Sequence, residues 1–544
     1  MAHIDVQEYP FDAPAPNAVD NSPPTHHYRQ PLLDTPRILV GLDSEEPHGC
    51  TQGKGQGSLK ELRNAAKDCD ATAMTPPIRR LPPELLTEIF LYCLPGTQFV
   101  QPHPSEAPLL LTQICSWWRC VCVSSPQIWS SLELVYRICE TTSSLQDSKR
   151  NTEALVDLWL SRSGDYPLSL SLQEDALLVK RIQCLLNSDT MTSRLQHLKV
   201  MIPRRTYTAF LPETRYPKLL TAELNTPHGL VETLLKDISA VFSNSPELRS
   251  FIWTNNSFIS SLIAVQWSSL SLLHLTTAIS IQNCLDVLEA STNAVTIHIK
   301  DIYLDLVQPP SREIILPRLT TLVLASRVNI TQVFECLTVP SLKVLMLTFP
   351  AWPHATMMNF MERCKFPLGN LDIFFPPITD VEMLEVLDKV QGTLTELTLQ
   401  TESPTVTDHF LENLSFKAYP SPASARSEPF CRKLESIALY NCTACTPGGV
   451  ARMVESRRYC SSLSSPPMVV PLRMVETLDT EPDLNSLVSL RRLGVQVVVY
   501  SEETGSVVDE DEPSLRIDEL EDEQSTEEEI EGAGLIPQGQ TITV

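Results

Sequence analysis

The feature that most restricts how this chain folds is a six-residue pattern, apolar-x-x-apolar-x-apolar, that recurs eleven times from Leu195 onward. The copies are Leu195/Leu198/Val200, Leu219/Ala222/Leu224, Leu248/Phe251/Trp253, Leu270/Leu273/Leu275, Ala294/Ile297/Ile299, Leu319/Leu322/Leu324, Leu342/Leu345/Leu347, Leu368/Leu371/Ile373, Leu394/Leu397/Leu399, Leu434/Ile437/Leu439 and Leu490/Leu493/Val495. First positions advance by 24, 29, 22, 24, 25, 23, 26, 26, 40 and 56 residues. The last three positions of each copy predict a short strand whose alternate residues point inward. Stacking one strand per repeat predicts a parallel sheet in which each repeat buries its leucines against its neighbours. Residues 283–290 and 382–390 lie between strands, carry helical periodicity and are expected on the far side of the sheet.

A period near 25 with this signature resembles that of leucine-rich repeats. The resemblance implies a right-handed α/β solenoid over residues 176–500, regular to about residue 400, with loop insertions near 402–430 and 457–472. Ala222 and Ala294, in leucine slots, mark degenerate repeats. The competing reading is a conventional α/β domain with leucine-rich strands. In a solenoid the outward strand residues form the substrate face, for which Ile252, His274, Val323, Met346 and Tyr440 are the candidates. This face is mainly neutral or apolar, so a substrate is expected to bind by shape and apolar contact with weak salt dependence.

Upstream, residues 78–132 read as three helices. Pro83 suits a first helical turn and Glu84 places a carboxylate at the positive end of the helix dipole. Apolar residues at 85, 86, 89, 90, 93 and 94 form one stripe, and Pro95-Gly96 stops the helix. A second helix opens at Ala107-Pro108 and runs through Ile114 and Trp118 to about Val123. A third starts with Ser125 as cap and offers Ile128, Trp129 and Leu132 to the same core. The combination Leu-Pro-Pro-Glu-Leu-Leu-x-x-Ile-Phe, Ile-Cys-x-x-Trp-Arg and Pro-x-x-Trp-x-x-Leu resembles the F-box, in particular the F-box-like proteins abundant in mushroom-forming fungi. One departure is the Pro-rich loop from Pro95 to Pro108, longer than in the minimal motif. The resemblance implies docking on a Skp-type adaptor, and through it a cullin, by Leu81, Pro82, Glu84, Leu85 and Ile89. The bundle core would be Leu86, Phe90, Ile114, Trp118, Trp129 and Leu132. A helix over residues 151–162 and a strand over residues 168–172 would make residues 136–175 a connecting helix and first strand.

Composition narrows the function. The net charge is −24, yet residues 502–531 hold fifteen acids and one base, Arg516. With no basic cluster, neither a sequence-general nucleic-acid binder nor a binder of anionic membranes is expected. Residues 1–75 are Pro- and Gly-rich and are expected to be a disordered arm, with at most a short helix near 59–67; residues 501–544 are an acidic disordered tail. Fifteen scattered cysteines read as reduced thiols, and no secretory leader or long apolar run is present, so the protein is expected inside the cell, in cytoplasm or nucleus.

Catalytic chemistry finds little support in these residues. Cys442 and Cys445, flanked by Cys431 and Cys460, offer four thiolates to a zinc ion, but a single Cys-x-x-Cys is weak evidence. Cys442 also occupies the place where leucine-rich repeats put a turn-bonding Asn or Cys. No nucleophile elbow or phosphate loop is present. The expected fold class is therefore α+β multidomain, a small three-helix F-box bundle followed by a right-handed α/β leucine-rich-repeat solenoid. The expected function is that of a non-enzymatic, cofactor-free substrate adaptor of an SCF-type ubiquitin ligase. The alternative is a leucine-rich scaffold or protein-interaction module with no ligase link.

Overall fold

The repeated pattern becomes a sheet because its inward leucines bury completely only when each strand lies beside the next. A computed structural model describes residues 77–134, 142–172, 186–201, 214–226, 232–255, 264–303, 313–401, 405–416, 430–463, 469–478 and 484–500. The expected arm 1–75, most of the 402–430 insertion and the tail 501–544 lie outside the described residues. The strands are β1 Ser131–Leu134, β2 Leu168–Leu172, β3 Leu195–Met201, β4 Thr221–Thr226, β5 Ser250–Asn255, β6 Leu272–Ser280, β7 Thr296–Tyr303, β8 Thr321–Ser326, β9 Val344–Thr348, β10 Asn370–Phe374, β11 Glu396–Gln400, β12 Ser436–Tyr440, β13 Met474–Leu478 and β14 Gln496–Tyr500. They form one 14-stranded sheet in chain order, and every pairing is parallel. Register aligns Leu198, Ala222, Phe251, Leu273, Ile297, Leu322, Leu345, Leu371, Leu397, Ile437, Val475 and Val497 in one inward row. Most of these are essentially unexposed, and a fully buried Leu or Ile stabilises by about 1.5–3 kcal/mol.

The turns ahead of the strands stack as regularly as the strands. The carbonyl of Arg249 accepts from the N–H groups of Ser271 and Leu272, that of Ser271 from Val295 and Thr296, and that of Val295 from Thr320 and Thr321. The same two-donor step recurs at Thr320, Lys343, Gly369 and Thr395.

The expected α+β division into a bundle and a solenoid is overturned. The described residues of 77–134 fall in one compact unit with those of 152–500, and among them one apolar core runs from Leu86 to Val499, so the arrangement is α/β. A small three-helix bundle is not formed. The segment consists of a 3-10 turn at Pro77–Arg80, α1 Pro83–Tyr92, α2 Leu109–Ile114, α3 Ser116–Val123 and a 3-10 turn at Pro126–Trp129 that leads directly into β1. The second expected helix breaks because Cys115 is extended, with φ −160° and ψ 166°, and its Sγ accepts from Trp118 N at 3.5 Å, capping α3. That break turns Ile114 outward, 53% exposed, where a core position was expected. Leu132 is buried, but on the first strand of the sheet and not in a helix. Ser125 makes no cap; its hydroxyl donates to Val121 O at 2.7 Å and lies 2.9 Å from Thr87 Oγ1, joining α3 to α1.

The long Pro-rich loop has a structural task. Glu133 N donates to Val100 O at 2.8 Å, Val100 N to Ser131 Oγ at 3.1 Å, and Ser131 Oγ to Gln98 O at 2.8 Å. The loop therefore covers the free edge of β1, which otherwise exposes a row of unpaired backbone groups. Helix α4, Thr142–Ser163, is longer than the expected 151–162; its Trp159 is fully buried and donates from Nε1 to Ser131 O of β1 at 2.9 Å.

Between later strands run α5 Glu232–Ser243, α6 Ile281–Ala290, α7 Thr331–Cys336, α8 His354–Cys364, α9 Asp380–Val390, α10 Asp408–Leu414 and α11 Gly449–Leu463. Ser280 caps α6, and α9 opens on a capping box in which Thr379 and Glu382 bond reciprocally. Helices α7 to α11 pack successively on one another.

After residue 400 the spacing between strands lengthens, from Glu396 to Ser436 and from Ser436 to Met474, yet β11 to β14 continue the parallel pairing. The 402–430 insertion contains α10, and residues 457–463 of the second belong to α11. One strand escaped the pattern because Thr477, 1% exposed, fills the third apolar slot of Leu472/Val475/Thr477. The last copy was misplaced by four residues: Leu490–Leu493 is a 3-10 turn ended by Gly494 at φ 75°, and the inward residues of β14 are Val497 and Val499.

Candidate protein-binding surfaces

The stripe on α1 divides between two environments. Leu86 and Phe90 are fully buried, with Phe90 5.0 Å from the ring of Trp118, itself only half-buried. Leu85 and Ile89 point to solvent at 53% and 41% exposure, and Tyr92, one turn further, follows at 89%. Residues at i, i+4 and i+7 share one helix face, so these three form an exposed apolar row. Leu110 and Ile114 make a second pair on α2. Pro82 and Glu84 are exposed beside the first row and Leu81 is half-buried. All five candidate adaptor contacts are thus accessible at least in part. Tyr92 was not among them, although its spacing from Leu85 and Ile89 was a usable signal.

The second surface is the sheet face opposite the leucines. Parallel register lines up Lys199, Glu223, Ile252, His274, His298, Val323, Met346, Asp372, Thr398, Ala438 and Glu476 in one row across β3 to β13. Ile252, His274 and Met346 are half-buried, Val323 is 6% exposed, and Tyr440 stands one step along β12 from Ala438. The five candidates therefore share a face. The His274 and His298 rings meet edge to face, 5.0 Å apart. Burial, with His298 and Lys300 nearby, lowers His274 to about 4, so the ring is neutral at pH 7.

The expectation of a mainly neutral face holds only for its middle. Lys199 and Glu223 form an ion pair at 2.7 Å toward one end. Toward the other, Asp372 is 6% exposed, bonded to Thr398, with Glu396 and Glu476 close enough to act on it electrostatically. Tyr440 donates to Glu476 Oε2 at 2.7 Å, and its ring lies 6.2 Å from that of Tyr500. Desolvation first, then the neighbouring carboxylates, raise Asp372 to about 6, while the Thr398 hydrogen bond opposes the shift. Sequence reasoning missed Asp372 and Glu476: the pattern puts Asp372 in an outward slot, but its burial arises from residues on other strands, and Glu476 lies on β13, the strand that escaped the pattern.

Asp372 gives a pH prediction. Its folded-state pKa exceeds the unfolded value of 3.8, so the folded state holds the proton more tightly between pH 3.8 and about 6. Stability from this group is therefore lost as pH rises through that window. Asp372→Asn, whose amide oxygen still accepts from Thr398, is expected to stabilise the chain by about 1–3 kcal/mol at pH 8 and by nothing at pH 4. Urea unfolding at the two pH values measures this. An equal offset at both would refute it.

The candidate zinc thiols do not assemble into a site among the described residues, where no group of three or more His, Cys, Asp or Glu stands within reach of one ion. Cys431 and Cys442 are fully buried and Cys445 is half-exposed. The Sγ of Cys442 lies 3.5 Å from Leu399 O as donor, tying the end of one repeat to its neighbour. The side chain of Cys460 lies outside the described residues. No described helix is long and apolar enough to cross a membrane.

Compared with known proteins, the chain matches no protein-family profile and no curated protein.

Proposed function

We propose that this chain is a non-catalytic substrate-recognition adaptor of an SCF-type ubiquitin ligase, acting inside the cell. Its N-terminal helical segment docks on a Skp-type adaptor and, through it, a cullin. The sheet face from Ile252 to Tyr440, built on strands that resemble leucine-rich repeats, holds a protein substrate. The observation that carries the reading is the exposed apolar row Leu85, Ile89 and Tyr92 on α1, which includes two positions that the F-box resemblance assigns to adaptor contact. Solvent-facing Leu and Ile on successive turns gain stability by being covered, and they are not needed to hold α1, which Leu86 and Phe90 anchor. The ligase's chemistry would lie in the enzyme brought near by the cullin, and this chain would contribute proximity.

A second reading has an observation of its own. The Pro95–Pro108 loop covers the edge of β1, as the terminal unit of a repeat array must, so the helical segment serves a scaffold equally well as a cap. Co-purification of the full chain with the Skp-type adaptor of its own cell separates the two readings. A stoichiometric complex is expected. Failure to bind any such adaptor replaces the ligase reading with the scaffold.

A further inference from the structure

The stacked turns ahead of β5, β6, β7 and β8 bring Arg249, Ser268, Ser269, Ser271, Asn293 and Arg318 around one solvent-open pocket of about 360 Å³. Its basic groups are braced. Arg249 Nη1 lies 3.3 Å from Ser269 O and 3.4 Å from Leu248 O. Arg318 Nη1 lies 3.4 Å from Asn293 Oδ1, while Asn293 Nδ2 is tied to Ser268 O at 2.8 Å. The hydroxyls of Ser269 and Ser271 donate to backbone carbonyls, which holds the turns in place. These contacts engage one nitrogen of each guanidinium and leave the rest of each fork for a ligand. Among the described residues no carboxylate pairs with Arg249 or Arg318, in a chain with 66 acidic and 42 basic residues.

Two arginine forks on one pocket match an oxyanion that accepts several N–H groups at once. A phosphomonoester, with about −1.5 to −2 charge at neutral pH, neutralises both, whereas a carboxylate neutralises one. The lining has no apolar or aromatic platform for a nucleotide base. Arg249 directly precedes Ser250 at the start of β5, so the pocket borders the sheet face. We propose that it binds the phosphoryl group of a phosphoserine or phosphothreonine in a protein segment lying along that face. The protein-borne source rests on the reading of the face as a substrate surface; the anion chemistry does not.

The test uses the full chain and two fluorescent peptide pools of mixed sequence, identical except for a central phosphoserine or serine, followed by anisotropy. The phosphorylated pool is expected to bind at least about tenfold tighter, a preference lost in Arg249→Ala and in Arg318→Ala and partly kept in the Lys variants. Both side chains are exposed, so neither alanine variant should alter the circular dichroism spectrum. Inorganic phosphate should compete, but more weakly than the phosphorylated pool. Equal binding of the two pools, or full binding by the alanine variants, overturns the site. Competition by inorganic phosphate as strong as by the phosphopeptides overturns the protein-borne source. Substitutions at Leu85 and Ile89 should leave phosphopeptide binding unchanged, so loss of the adaptor reading and loss of this one are read separately.

Discussion

Replacing Trp129 by alanine is expected to destabilise the protein by about 3–5 kcal/mol, the largest single-residue effect in the N-terminal segment. The indole is fully buried, packs edge to face on Trp159 at 4.8 Å and lies under the Arg162 guanidinium at 4.5 Å. Its Nε1 donates to Cys122 O at 2.9 Å, so truncation leaves both a cavity and a buried carbonyl without that donor. Trp159 in turn holds Ser131 at the start of β1, so the damage should spread to the strand that begins the sheet. Trp118, half-buried against Phe90, provides the contrast: Trp118→Ala should cost only about 1–2 kcal/mol, because part of its ring already faces water. Urea unfolding followed by circular dichroism, with hydrogen exchange at β1, measures both. If Trp118→Ala proves as damaging as Trp129→Ala, the described packing of this segment is wrong.

The second large effect concerns binding and not folding. Leu85→Asp combined with Ile89→Asp should weaken the proposed complex with a Skp-type adaptor by about 2–4 kcal/mol, roughly thirty-fold to a thousand-fold. Both side chains are more than a third exposed, so the double variant should keep its unfolding midpoint to within about 0.5 kcal/mol per site. Calorimetry with the adaptor, alongside urea unfolding, separates the two quantities. Unchanged affinity in a folded double variant would remove α1 from the interface. Leu86→Ala should do the reverse: a cavity costs stability by about 2–5 kcal/mol while the exposed row keeps its chemistry.

How much of this was readable before folding differs by element. The strand pattern located β3 to β12 because alternation between water and core is a local property, written into the spacing of each repeat. It failed at β13 and β14, where Thr477 and Gly494 occupy slots that hold an apolar side chain in the other repeats. A threonine is tolerated there because the sheet around it supplies the burial, which no six-residue window contains. The candidate adaptor positions come from their motif; Glu84, Leu85 and Ile89 are exposed on α1, and Leu81 and Pro82 directly precede it.

By itself the sequence determined where α1 and the strands β3 to β12 form, since periodicities of two and 3.6 residues decide which side chains share a face. It determined too that the strands run parallel, because each returns after an intervening segment long enough to cross back. Tertiary structure alone decided which half of the α1 stripe is buried, since Leu85 and Leu86 are equally apolar and only the position of α3 and the 3-10 turn distinguishes them. It alone joined the helical segment to the sheet as one α/β unit, and it gave the Pro-rich loop an edge to cover. The burial of Asp372 and the placing of Arg249 and Arg318 on one pocket belong to the same class. Each depends on residues more than twenty positions apart in the chain becoming neighbours, and a side chain's solvation and charge environment are set by those neighbours and not by its own type.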